Sequence, residues 1–290
     1  MLKELNQAIE YIEEHLTSDI TLEEISKCVG VSDYHFRKIF YYLSGLTLSE
    51  YIKNRKLSEA NKDLLNNERV TDVAFKYGYQ SIDGFTRAFK SWSGFLPSEV
   101  TKMSVKKLFP KLYFYINVKG GQNMDYKIVE MPAFKFVGVS RRVPMQFEGV
   151  NSAIVELANS ITQEQREAMH AIQNIEPYEV VNVSYEHEHN FMKDGGYLTH
   201  LIGVLSTKES VSELLDVIEV SSYTWAVLPN EGPFPEILQE TYAKIYSEWL
   251  PISDYEVIQA PEFSFTKMNI ENPNYAYSEI WMPVCKKSKN

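Results

Sequence analysis

The sequence predicts a two-domain chain: an all-α domain holding two helix-turn-helix units, then an α+β domain of two strand-helix-strand-strand repeats. Three observations predict it. A pattern recurs at a constant offset of 49 positions, placing Ser32, Phe36, Lys38, Phe40, Ser44, Gly45, Ser49 and Glu50 on Ser81, Phe85, Arg87, Phe89, Ser93, Gly94, Ser98 and Glu99. From Asp125 onward the helical hydrophobic period gives way to short strand-like segments. The charge divides as well: residues 1–119 carry 17 Lys+Arg against 15 Asp+Glu, and residues 120–290 carry 12 against 24, so the net −10 splits into +2 and −12. An anionic second half repels phosphate, which leaves nucleic-acid contact to the first half and favours a cation as any charged ligand of the second.

At 290 residues and 44% hydrophobic content, the chain can build a core in each half. No apolar run approaches the roughly 18 residues of a membrane span, and Met1-Leu2-Lys3-Glu4-Leu5 lacks the order of a signal peptide. A cytoplasmic protein without membrane contact is expected. Cys28 and Cys285 lie at opposite ends of the chain and read as free thiols. No cofactor is expected.

In the first half, Leu5, Ile9, Ile12 and Leu16 mark an amphipathic helix closed by Thr17-Ser18-Asp19. Thr21-Leu22-Glu23-Glu24 reads as a capping box opening a second helix, with Leu22, Ile25 and Val29 facing inward. Gly30-Val31 turns, Ser32 caps, and Phe36, Ile39, Phe40 and Leu43 form the buried stripe of a third helix. Its other face, expected to be exposed, carries Asp33, Tyr34, Arg37, Lys38 and Tyr41. Arg and Lys suit guanine edges or phosphates, and Tyr34 suits a thymine methyl or a phosphate. For one isolated helix a solvated basic face is the plainer account; the duplication favours DNA.

Thr47-Leu48-Ser49-Glu50 opens a long connecting helix marked by Leu48, Ile52, Ala60 and Leu64. Such a connector is suited to holding two recognition helices about one DNA turn (~34 Å) apart. The second unit runs through Val70, Val73, Ala74 and Tyr77, turns at Gly78-Tyr79 and caps at Ser81. It buries Phe85, Ala88, Phe89 and Trp92 and exposes Ile82, Asp83, Thr86, Arg87 and Lys90.

Leu22-Glu23-Glu24-Ile25, Gly30-Val31-Ser32, Phe36-Arg37-Lys38-Ile39-Phe40, Tyr77-Gly78-Tyr79-Gln80-Ser81, Phe85-Thr86-Arg87-Ala88-Phe89-Lys90 and Gly94-Phe95-Leu96-Pro97-Ser98-Glu99 together resemble the DNA-binding domain of AraC-type transcription regulators. The resemblance covers roughly residues 1–107. It implies double-stranded DNA and RNA polymerase as partners, the helix from Ser32 as main base reader with Tyr34, Arg37 and Lys38 at contact positions, and Arg87 as a contact in the second head. Ile82, Asp83 and Gly84 are poor donors to bases, so the second head is expected to bind through backbone contacts and shape. Lys102, Lys106, Lys107 and Lys111 are read either as phosphate contacts or as part of a solvated linker over residues 108–123, with Gly120-Gly121-Gln122-Asn123 as the boundary.

In the second half, residues 134–139, 180–185, 223–227 and 277–281 read as strands, and Ile154 to Ile161 and Ile237 to Trp249 as helices. Glu130, Phe134 and Phe136 are echoed by Glu219, Tyr223 and Trp225. A pseudo-twofold sheet is the natural packing. Gly232-Pro233, the segment Glu240 to Pro251, Tyr255-Glu256 and Glu279-Ile280-Trp281-Met282-Pro283-Val284 resemble the GyrI-like small-molecule-binding domain, here over residues 124–290. That resemblance implies an aromatic cleft for a lipophilic, often cationic effector. Phe134, Phe136, Tyr223, Trp225, Phe234, Phe263, Phe265 and Trp281 are the candidate walls. A strand aromatic taken singly is more often core.

A family pattern Pro-x-x-Glu-x-aromatic, counted from Pro261, meets Ser264 and Thr266 instead. Glu262 or Glu279 then remains as the acidic anchor, and strand alternation lets only one parity face the cleft. Glu186-His187-Glu188-His189 with His200 invites a metal reading, but as a strand end before the turn Lys193-Asp194-Gly195-Gly196 it reads as polar surface, and no metal is expected. No Ser-His-Asp or Cys-His arrangement is evident. The chain is therefore read as an effector-controlled regulator and not an enzyme; the rivals are a C-terminal hydrolase using Glu262, Glu279 or a tyrosine, and a protein-interaction module.

Overall fold

The computed structural model describes residues 2–102, 107–115, 124–146, 149–186 and 196–287. They form two compact units. The first contains α1 (Leu2–Glu14), α2 (Leu22–Val29), α3 (Asp33–Ser44), α4 (Leu48–Leu65), α5 (Val70–Lys76), α6 (Ile82–Ser93) and a 3-10 turn at Pro97–Lys102. The helices start where capping chemistry allows. Ser32 accepts from the His35 amide at 3.3 Å, Ser81 from the Gly84 amide at 3.1 Å, and Thr47 and Glu50 form a reciprocal capping box. At Thr21 the box is not reciprocal, because the Glu24 carboxylate takes the Thr21 and Tyr11 hydroxyls rather than the Thr21 amide. The helices of the two copies end alike: Gly45 and Gly94 sit at φ of 71° and 93°, a left-handed conformation that a side chain would strain.

Both recognition helices bury their Phe-x-x-x-Phe face. Phe36 and Phe40 are fully buried with rings 6.0 Å apart, as are Phe85 and Phe89 with rings 5.5 Å apart. Between them α4 has 18 residues, about 27 Å of helix.

The segment expected to begin a free linker is instead bound to this unit. The Asn6 side chain pairs both ways with the Phe114 backbone, donating to its carbonyl at 2.8 Å and accepting from its amide at 2.9 Å. The Phe109 amide donates to Ser58 and its carbonyl accepts from Arg55, while the Leu112 amide donates to the Tyr51 hydroxyl. The Phe114 ring packs edge-on against Phe40 at 6.0 Å. Residues 107–115 therefore form an extended strap across α1 and α4. The lysines around it suggested phosphate contact or a solvated linker. Lys107 donates to the Trp92 carbonyl and Lys111 pairs with Glu10; Lys106 and the Gly120–Asn123 boundary lie outside the described residues.

The second unit is one antiparallel sheet with helices. Its elements are β1 (Lys127–Met131), β2 (Phe134–Pro144), α7 (Ser152–Ser160), α8 (Gln163–Ile172), β3 (Val181–Tyr185), β4 (Tyr197–Ser206), β5 (Asp216–Val220), β6 (Tyr223–Pro233), α9 (Glu236–Lys244), β7 (Tyr255–Val257), β8 (Glu262–Met268) and β9 (Tyr275–Lys286). A π-helical turn, Ile245–Trp249, prolongs α9. Strand order is β1-β6-β9-β8-β3-β4-β2-β5, with β7 also on β9. Exchanging β1 with β5, β2 with β6, β3 with β8 and β4 with β9 leaves that order unchanged, so a pseudo-twofold passes between β3 and β8.

The first repeat has one more strand than the sequence suggests and the second has two, the additional one being the short β7. The five-residue β1 and β5 are too short to show an alternating signature, yet each pairs with the long strand of the other repeat, Lys127 opposite Val227 and Asp216 opposite Gly138. This exchange knits the repeats into one sheet. One face packs under α7 and α8 through Val137, Ile202, Val204, Leu157, Ile161 and Met169. The opposite face carries the aromatic cluster.

Within the first unit, Arg55 is held by Glu13 at 2.6 Å and Glu59 at 2.7 Å, with only 6% of its side chain exposed. Removing it takes the guanidinium from a largely buried Glu13, which keeps the Tyr51 hydroxyl, while Glu59 keeps Lys62. Arg55→Met should lower stability by about 3 kcal/mol in urea denaturation, whereas Lys27→Ala, which breaks the exposed pair with Glu23, should change it by under about 0.5 kcal/mol. Equal effects from the two would contradict this network as the anchor of α1 and α4.

Candidate functional sites

On α3 the helical period sets Tyr34, Arg37, Lys38 and Tyr41 opposite the Phe36–Phe40 face. Tyr34, Arg37 and Lys38 are buried, at 6%, 4% and 4% exposure, where an open face was expected. Part of the cover is local. Lys38 Nζ lies 5.7 Å from the Tyr34 ring centroid, and the His35 ring packs 5.8 Å from it, so the lysine stem lies along aromatic surface. On α6 the matching face is open: Ile82, Asp83, Arg87 and Lys90 are exposed and Thr86 half-buried. Ser32 and Ser81 are N-caps whose hydroxyls are engaged at the helix starts.

In the second unit, alternation decides which of the candidate residues share a space. Phe136, Trp225 and Phe263 are fully buried and pack ring to ring at 5.1–5.2 Å, and Phe134 joins them at 5.0 Å from Phe136. They form core rather than open wall. Tyr223 packs half-buried at the edge of this cluster, and Phe234 lies in the turn leading to α9, outside it.

Phe265 and Trp281 do line a cleft of about 550 Å³, together with Val227, Met131 and Ile175. Cross-strand register explains their company: Phe263 faces Trp281, Phe265 faces Glu279, and Lys267 faces Tyr277 along β8 and β9. Glu279 therefore reaches the cleft. Its carboxylate is aimed there by two donors, the Tyr277 hydroxyl at 2.7 Å and the Trp281 indole at 3.0 Å. Burial and the Glu279 carboxylate push the Tyr277 hydroxyl up to about 12, so it remains a donor at every physiological pH. Glu262 has the other parity. It is buried on the opposite face of β8, where the Tyr242 hydroxyl donates to it at 3.4 Å.

Glu130, Glu176 and Glu179 also line the cleft, against Lys127 and Lys267. Four carboxylates facing two ammonium groups make the lining net anionic. Sequence reasoning passed over Lys267 and Tyr277, although each stands two positions from a candidate, Phe265 and Glu279, and so shares its face. Glu179 comes from the segment before β3, where Tyr178-Glu179-Val180 is echoed by Tyr255-Glu256-Val257, but nothing in that echo pointed to the cleft.

A serine-histidine-amide array, unseen in the sequence, spans β3 and β4. Ser184 Oγ lies 3.1 Å from His200 Nδ1, and His200 Nε2 lies 3.1 Å from Asn182 Oδ1. Burial pushes the His200 imidazole down to about 4, which makes it a weak base and a neutral cross-strand hydrogen-bonding group at pH 7. His187 and His189 lie outside the described residues, and among the described residues no cluster of three His, Cys, Asp or Glu is placed to hold a metal.

A duplicated helix-turn-helix unit and an aromatic, acidic cleft in a pseudo-twofold sheet together define a ligand-binding transcription regulator. The chain matches the GyrI-like small-molecule-binding domain family over residues 124–284 and belongs to it, and residues 25–103 match a helix-turn-helix domain family. The first unit is 34% identical over 95 residues to the HTH-type transcriptional activator AarP of Providencia stuartii, covering 32% of this chain and 70% of AarP. It is 34% identical over 89 residues to the multiple antibiotic resistance protein MarA of Escherichia coli, covering 30% of this chain and 70% of MarA. These relatives place the first unit among AraC-type regulators. Among solved structures, SAV2435 bound to tetraphenylphosphonium is similar at 20% identity and a TM-score of 0.43, over 56% of this chain and 94% of that one. No helix among the described residues is long and apolar enough to cross a membrane.

The His200 environment carries a pH signature. Its folded pKa, about 4, lies below the ordinary value of 6.5, so the unfolded chain binds more protons between those limits and stability falls as pH drops through them. Thermal or urea unfolding should show a loss of up to about 3 kcal/mol between pH 7 and pH 4, and His200→Gln should flatten that part of the profile. An identical profile in the variant would contradict the assignment.

Proposed function

We propose that this regulator reads promoter DNA chiefly through α3, uses α6 for affinity and register, and is controlled by a lipophilic cation bound in the cleft at Glu279. The observation that carries the cleft reading is a carboxylate aimed by Tyr277 and Trp281 between aromatic side chains in a net anionic lining. A delocalised cation gains there from ring faces and from charge pairing. On α3, Tyr34, Arg37 and Lys38 are the proposed base and phosphate contacts, with Tyr41 at the flank. At 6%, 4% and 4% exposure, Tyr34, Arg37 and Lys38 must be uncovered before they can reach a groove. Arg87, Lys90 and Thr86 are the proposed backbone contacts of α6, and Ile82 and Asp83 add shape rather than hydrogen bonds.

A cytoplasmic location follows from this role. Contact with RNA polymerase is part of the proposal on the strength of AarP being an activator. Chemical turnover is not part of it: the Ser184–His200 pair has a weakly basic, buried imidazole, and the Ser32–His35 pair belongs to the N-cap of α3.

Two experiments test the reading. Titration of the full chain with tetraphenylphosphonium by calorimetry should give saturable binding, weakened about tenfold by Glu279→Gln with the fold unchanged. Wild-type affinity in the variant would remove Glu279 as the anchor. On duplexes selected from a random pool, Arg37→Ala should cost about 1–3 kcal/mol and relax the preference at one position, whereas Arg87→Ala should weaken selected and unselected duplexes alike.

A further inference from the structure

The cleft already holds a cation of its own. Lys267 Nζ lies 5.6 Å from the centroid of the Phe265 ring, within the range of a cation–π contact, and 2.7 Å from Glu179 Oε1 across the cleft. Phe265, Lys267 and Glu179 all line the same cavity as Glu279 and Trp281. Register explains the position: Lys267 shares the cleft face of β8 with Phe265, one step nearer the strand end, and Phe265 stands opposite Glu279. The aromatic position beside the acidic anchor is therefore covered by an ammonium group on a flexible stem.

We propose that Lys267 is a resident cation and a specificity-determining residue. It covers the Phe265 face, pairs with Glu179, and must swing out before a ligand cation takes its place. This inference rests on the cation-binding reading of the cleft and refines it. The lysine side chain is 52% exposed and Glu179 36%, so their bond is partly solvated and weak enough to be exchanged. The consequence is a threshold. A small, hydrated monocation gains little by replacing one ammonium with another. A bulky, poorly hydrated cation that also covers Trp281 and Val227 brings apolar burial that Lys267 cannot supply. The lysine thus selects for size and lipophilicity, because charge alone confers no advantage over the resident group.

The test is a calorimetric titration of tetraphenylphosphonium and tetramethylammonium into the full-length protein and its Lys267→Met, Lys127→Met and Glu279→Gln variants. Removing the resident cation should tighten phosphonium binding about fivefold and make tetramethylammonium binding measurable. Lys127 lines the same cleft and serves as the control for a simple change of charge. Its replacement should have a clearly smaller effect. Lys267→Met binding phosphonium no tighter than wild type, or Lys127→Met matching it, overturns the resident-cation role. If Glu279→Gln still weakens binding in that case, the cleft reading survives the failure of this one. If neither wild type nor Lys267→Met binds any cation, both fall.

Discussion

The β6–β9 ladder is the constraint on which the second unit depends. Ten residue pairs, from Thr224 opposite Val284 to Pro233 opposite Tyr275, lock two long strands in one register. With the side-chain period fixed at two, that register settles every later question about the cleft. Tyr277, Glu279 and Trp281 share one face; Ser278, Ile280 and Met282 take the other. A slip of one residue would bury Glu279 beneath α9 and expose Met282. The ladder is flanked by β1 on β6 and by β8 on β9, so the register is held from both sides.

In the first unit the equivalent constraint is electrostatic. Arg55 gathers Glu13 of α1, Glu59 of its own helix and the Phe109 carbonyl of the strap around one planar group. The acidic partners and burial act in opposite directions on the guanidinium, and the partners prevail, holding its pKa above the ordinary value. Tyr51 donates to the same Glu13 while accepting from the Leu112 amide, so strap and helices share a hydrogen-bond network. The connector between the heads is in this way braced along its length.

Much of this was legible in the sequence, for physical reasons that differ between the units. Helix caps and Gly termini act locally, so Ser32, Thr47, Ser81, Gly45 and Gly94 declare their structures within a few residues. Sheet partners do not. The β5 sequence Asp-Val-Ile-Glu-Val reveals a strand only once its partner β2 is known. The helix α8 carries a full capping box at Thr162 and Gln165 but a thin apolar stripe, and the period-based reading passed over it. The aromatic residues were found in sequence, yet their division into core and cleft was not, because Phe263 and Phe265 have the same parity and differ only in depth. The strap was missed for a related reason: its bonds join residues more than 40 positions apart.

What joins DNA and ligand in one account is thermodynamic linkage: an effector that controls DNA binding must itself bind with different affinity when DNA is present. The most direct measurement is the affinity of tetraphenylphosphonium for the full chain, free and saturated with its selected duplex. The account predicts two affinities differing by about 5-fold or more, with the same ratio recovered when DNA affinity is measured with and without the cation. Equal phosphonium affinities in the two titrations would contradict it.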